Sequence, residues 1–165
     1  MSKIWAVMLA AMLAALPSSP RSLPADKPGF VTIFPGDIVW KDIPDGHGAQ
    51  MAELVGSQSK AGLYVVRVRF PPHVMDTAHS HSAERYVTVL EGTWAAGTGP
   101  MFDPAKARLL PVGSVMVHPA RGVHWDGSRG DAPVVVQIVG IGPVSTTAFD
   151  PKEPGWVDLR APDGR

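Results

Sequence analysis

Short runs of β-branched and aromatic residues recur every 8–12 residues in this chain, and proline or glycine closes most of them. Proline lacks the N–H a helix or ladder needs, and glycine weakens either element, so long helices do not fit such punctuation. With Gly 17 and Pro 17 in 165 residues, the pattern predicts an antiparallel sandwich or barrel of short strands. The clearest strand is Leu63–Phe70, in which Val66, Val68 and Phe70 alternate with Arg67 and Arg69 before Pro71-Pro72 ends it. Phe30–Phe34, Asp37–Trp40, Met51–Val55, Tyr86–Leu90, Thr93–Ala96, Val115–His118 and Val134–Val139 read as further strands, with Val144–Phe149 as the last core strand. Asp103 as N-cap and Pro104 at the first helical position predict one short helix. The tail from Pro151 is expected to wrap the surface.

Lys plus Arg and Asp plus Glu are both 15, so no basic excess points to nucleic acid and no acidic tract points to disorder. There is no cysteine, which excludes disulfides, thiolate metal sites and a cysteine nucleophile. At the N-terminus, Lys3 precedes a charge-free apolar run of thirteen residues, Ile4 to Leu16, and Pro17 stops it. That is short of the roughly 20 residues that span a bilayer. It has the pattern of a secretory signal peptide, expected over residues 1–25 with an uncertain cleavage point. Its removal leaves 26–165 as a single domain with 13 basic and 15 acidic side chains, a formal charge of −2. Such a chain is expected to be periplasmic or secreted, with no lasting membrane anchor and with stability from its core alone.

Five of the six histidines fall between His73 and His124. In His79-Ser80-His81 the two imidazoles lie two apart, on one face of a strand, so both can reach one ion. Glu84 could add a carboxylate, and His124 follows a proline turn about 40 residues on. Neutral imidazoles with one carboxylate suit iron, manganese, nickel, copper or zinc, and ligand softness does not choose among them. His118 lies in an apolar strand and reads as a cavity wall, His73 as a rim residue, and His47 as a loop residue.

The order of these pieces resembles the cupin superfamily. His79-Ser80-His81-Ser82-Ala83-Glu84 followed by "RYVTVLEG" resembles the first cupin motif, and Pro111-Val112-Gly113 with Pro119 and His124 loosely resembles the second. "RYVTVLEGTW", "GTGPMFDP" and "GIGPVSTT" resemble small exported single-domain cupins of mostly unassigned activity. The resemblance implies an all-β cupin-type barrel, a double-stranded jelly roll, with His79, His81, Glu84 and His124 around a divalent metal ion. It also implies a small-molecule ligand and, in many cupins, a homodimer. Two positions depart from the motif. His73 stands where the family has glycine, and the glutamate comes one residue early, so Arg85 occupies the usual ligand slot. In regular strand Arg85 would face inward and Glu84 outward; a bulge at Ser82-Ala83 would let Glu84 reach the ion. Without Glu84, water or Gln137 would complete a three-histidine site.

An open His/carboxylate site can polarise a carbonyl, activate water or bind oxygen. Arg85 and His118 are candidate catalytic groups, and an arginine there favours an anionic substrate. Three readings stand: a metal-dependent dioxygenase or lyase of the cell envelope acting on a small organic substrate, a non-catalytic metal- or ligand-binding or sensing cupin, and a metal-free structural or dimerisation module. A fold of this kind hosts many activities and does not choose among them.

Overall fold

The structure, a computed structural model, describes residues 28–161. The expected leader lies outside the described residues. The chain divides into two compact units, Met1–Thr32 and Ile33–Arg165. In the first, the described residues 28–32 form a turn at Pro28-Gly29 and no strand. Among the described residues, the second unit carries every strand, and no helix is long and apolar enough to cross a membrane.

The second unit opens with a 3-10 turn at Pro35–Asp37, where the sequence suggested the end of one strand and the start of another. Twelve strands follow: β1 Lys41–Asp42, β2 Gln50–Val55, β3 Gly62–Phe70, β4 Val74–His81, β5 Arg85–Glu91, β6 Thr93–Thr98, β7 Arg108–Pro111, β8 Val115–His118, β9 His124–Gly127, β10 Val134–Gly142, β11 Thr146–Ala148 and β12 Trp156–Asp158. They form two antiparallel sheets. The first runs β1-β2-β3-β10-β5-β8, and the second runs β11-β4-β9-β6-β7 with β12 also paired to β4. This is the predicted all-β jelly-roll barrel.

The first sheet supplies most of the core. Its strands alternate as a half-buried sheet must: Tyr64, Val66, Val68 and Phe70 of β3 are buried, as are Val87 and Val89 of β5 and Val134, Val136 and Ile138 of β10. Trp94 of β6 joins this cluster from the second sheet. On the other side of the second sheet, Met75, Ala95, Trp125 and Val157 form a smaller cluster. Gly97 pairs with Trp125, and a Cβ there would overlap the indole ring, so the position accepts no side chain.

Phe30–Phe34 and Asp37–Trp40 contain no strand, and three further sequence expectations need correction. Asp103 does cap, accepting from the Ala105 N–H, but the expected helix is a single 3-10 turn, Pro104–Lys106, before β7 resumes the sheet. Val144–Phe149 is not a core strand: only Thr146–Ala148 pairs, and all three residues are exposed. The closing strand is instead β12, inside the tail assigned to the surface, where Val157 is buried against β4. A three-residue strand carries too little periodicity to be read from sequence.

Candidate metal and ligand site

Four histidines meet inside the barrel. His79 and His81 come from β4, His118 from β8 and His124 from β9, and all four are buried. Strand pairing puts them there. His79 lies opposite His124, and the β4–β9 register shifts between Asp76 and His79. That bulge lets Asp76 and His79, three residues apart, both face inward. Asp76 pairs with Asp126 of β9, so two carboxylates sit beside the histidines. The turn ahead of β9 is fixed by Arg121, at φ 63, whose N–H donates to the His81 carbonyl at 2.7 Å.

Backbone carbonyls set the tautomers. The Nδ1–H of His79 donates to the Thr77 carbonyl at 2.7 Å, and that of His124 donates to the Gly122 carbonyl at 2.9 Å. Each ring therefore keeps its Nε2 lone pair for the interior, the arrangement that orients histidine ligands in metal sites. His81 shares a hydrogen bond with Thr146 Oγ1 through Nδ1, and its buried Nε2 has no partner among the described residues. One ring nitrogen from each of His79, His81 and His124 lies within 4.8 Å of the others, a grouping that could hold a metal ion. His118, His124 and Asp126 form a second such group, so His124 belongs to both.

The protonation states suit ligands. Burial, and then the Arg85 charge, pushes His81 far below the ordinary imidazole range. Burial also lowers His79, takes His118 down to about 2 and takes His124 down to about 4. All four rings are therefore neutral at physiological pH, as coordination requires. Burial and the neighbouring Asp126 raise Asp76 well above the usual carboxylate range.

Glu84 does not join this group. It is exposed and accepts a hydrogen bond from the Tyr86 hydroxyl at 2.6 Å. β5 is regular strand from its first residue, with Arg85 in register with Gly140 of β10 and His118 of β8, so Arg85 is the residue turned inward. Arg85 is 7% exposed; its Nε donates to His118 Nδ1 at 3.4 Å and its Nη2 donates to His124 Nε2 at 3.3 Å. His118 thus carries its proton on Nε2, a buried donor without a partner among the described residues. Expected only as a wall residue or catalytic candidate, His118 packs 3.7 Å from His124, ring centre to ring centre. His73 stays outside, in the turn before β4, hydrogen-bonded to Asp131 at 2.8 Å. His47 sits in a turn with φ 48. Gln137 is not at the site; it accepts from Arg67 Nε at 3.2 Å.

Asp76 and Asp126 escaped the sequence reading. Asp126 was within reach of it, because His124-Trp125-Asp126 has the same two-residue spacing as His79-Ser80-His81. Asp76 was not, because its inward direction depends on the bulge. These polar groups border a cavity of about 360 Å³ whose other walls are mainly apolar, among them Val68, Phe70, Trp94, Val136 and Ile138. A wider groove of about 900 Å³, lined by Phe102, Phe149, Lys152 and Leu159, contains none of the histidines.

The fold is that of a cupin-type barrel, and comparison with solved structures agrees. A cupin-like protein from Thermotoga maritima is 24% identical at a TM-score of 0.51, over 61% of this chain and 76% of that one. The polyketide cyclase RemF from Streptomyces resistomycificus is 15% identical at a TM-score of 0.61, over 76% and 89%. The DMSP lyase DddQ from Ruegeria pomeroyi is 18% identical at a TM-score of 0.59, over 72% of this chain and 64% of that lyase. At these identities the likeness is one of fold. No protein-family model matches the chain, and no curated protein matches it.

Proposed function

We propose that this chain is an exported, metal-binding cupin that acts on a small organic molecule bearing an anionic group, in the manner of a metal-dependent lyase or dioxygenase. The observation that carries this reading is the convergence of His79, His81 and His124 with their tautomers set and the His81 Nε2 buried without a partner among the described residues. A buried polar atom left unpaired costs stability, and an ion at that place removes the cost. His79, His81 and His124 would hold the ion, which when bound supplies a Lewis-acid or redox centre. The N-terminal leader pattern of residues 1–25 supports the envelope location.

The chain's own groups set what else can bind. Arg85 uses Nε and Nη2 on the two histidines, leaving Nη1 without a partner among the described residues, beside a mainly apolar cavity. A carboxylate or similar anion would pair with that guanidinium, and its carbon skeleton would lie on Trp94, Val136 and Ile138. His118 Nε2–H offers a hydrogen bond to the same ligand. The solved relatives named for a lyase and a cyclase support a small-molecule reaction of this kind.

Arg85 also favours a second reading. Its Nη2 donates to the lone pair on His124 that an ion would take, so guanidinium and metal compete there. If the guanidinium wins, the barrel binds a small anion without metal and without turnover.

Calorimetric titration of metal-stripped protein with Mn(II) and Zn(II) tests the proposal, followed by thermal-shift measurements with a set of small carboxylates. The proposal expects a single metal site and stabilisation by at least one carboxylate that Arg85→Gln abolishes. Carboxylate binding without metal uptake would establish the second reading instead. Neither effect would overturn both.

A further inference from the structure

We infer that Asp126 supplies the carboxylate of the metal site, in place of the first-motif glutamate that this chain turns outward. The inference rests on the metal-binding reading above. Glu84 is exposed and engaged by Tyr86, and Arg85 fills the inward position, so no carboxylate reaches the site from β5.

Asp126 has the geometry to replace it. It lies two residues after His124 on the same strand, and is therefore on the same face. It is 5% exposed. Trp94 Nε1 donates to Oδ1 at 3.1 Å, which fixes the carboxylate and leaves Oδ2 facing the histidines, 4.0 Å from His124 Nε2. An oxygen of Asp126 and ring nitrogens of His118 and His124 lie within 4.8 Å of one another. His124 is also within 4.8 Å of His79 and His81, which do not group with Asp126, so His124 is the shared ligand through which Asp126 would reach an ion. The second, independent sign of a ligand is His81 Nε2, buried and without a partner among the described residues.

A buried carboxylate needs a compensating charge. Among the described residues, the one ion-pair partner within 4.0 Å of Asp126 is His124. The Arg85 charge acts on Asp126 from nearby, but its Nε and Nη2 donate to His118 and His124 and not to the carboxylate. A divalent cation between Asp126 and the imidazoles would compensate that charge directly. Asp76 is the weaker candidate: its near contact is to His79 Nδ1 at 3.4 Å, the nitrogen already bonded to a carbonyl.

The test is titration of metal-stripped full-length protein with Co(II), reading both affinity and the visible absorption of the bound ion. Asp126→Asn keeps the shape and the acceptor for Trp94. It should weaken Co(II) binding about tenfold or more and change the absorption spectrum, because an oxygen ligand is lost. Glu84→Gln should change neither. If Asp126→Asn does not fold by circular dichroism, Asp126→Glu, which keeps an anionic oxygen, should retain Co(II) binding. Wild-type spectrum and affinity in Asp126→Asn would overturn the assignment. So would weaker binding with an unchanged spectrum, which would make Asp126 a residue that only positions His124. Wild-type protein that takes up no Co(II) would overturn the metal site as a whole.

Discussion

The two sheets of the barrel follow the same alternation and bury different things. The inner face of the first sheet is a ladder of Val66, Val68, Phe70, Val87, Val89, Val136 and Ile138, and its polar residues are confined to one end, at Arg85 and His118. The inner face of the second sheet carries Asp76, His79, His81, His124 and Asp126 along just two strands, β4 and β9. Burying apolar area stabilises the fold, whereas burying unpaired polar groups costs free energy unless something compensates them. The first sheet therefore holds the barrel together, and the second concentrates the groups that a core would exclude. Such a division is what a binding site built into a packed interior requires.

Acid should break this division first. In metal-stripped protein the four site histidines stay neutral when folded, with His124 near about 4 and His118 near about 2. The unfolded chain takes up protons near the ordinary value of about 6.5. Between those values unfolding binds protons, so stability falls as pH falls below about 6.5, by up to about 1.4 kcal/mol per pH unit for each histidine. Asp76 runs the other way, since its raised value lets the folded state bind a proton first, but it is one group against four. Urea unfolding at pH 7 and pH 5 should give a much lower midpoint at pH 5, and equal midpoints would mean that these rings are solvated.

A change in the first sheet should behave differently. Ile138→Ala removes a 4% exposed core side chain and should cost about 2–5 kcal/mol by urea unfolding. The loss should be nearly the same at pH 7 and pH 5, because no titrating group is touched. The smallest effect is expected from Glu84→Ala, an exposed position, with a stability change within about 0.5 kcal/mol and no change in metal content. Lost metal in Glu84→Ala would return the glutamate to the site.

The same contrast explains what the sequence disclosed. The first sheet was legible because β3, β5, β8 and β10 are β-branched runs closed by proline or glycine. The second sheet was read mainly through its histidines. β4 mixes polar and small residues around a bulge, and β9 is four residues long, so neither has a hydrophobic period to follow. The metal-type histidines stood out by spacing alone. The choice between Glu84 and Arg85 hung on one residue of strand phase, and the pairing of Arg85 with His118 decided it. Asp126 lies outside the first motif, and only the two-residue spacing from His124 on β9 points to it.

The central claim is that the buried imidazoles of the second sheet hold a metal ion. Elemental analysis of protein purified from metal-replete medium, alongside His81→Ala prepared the same way, tests it most directly. Bound metal is expected in the wild type, and metal at background in a folded His81→Ala whose thermal stability without metal is at least that of the stripped wild type. A wild type free of metal, or a His81→Ala variant with undiminished metal, would contradict it.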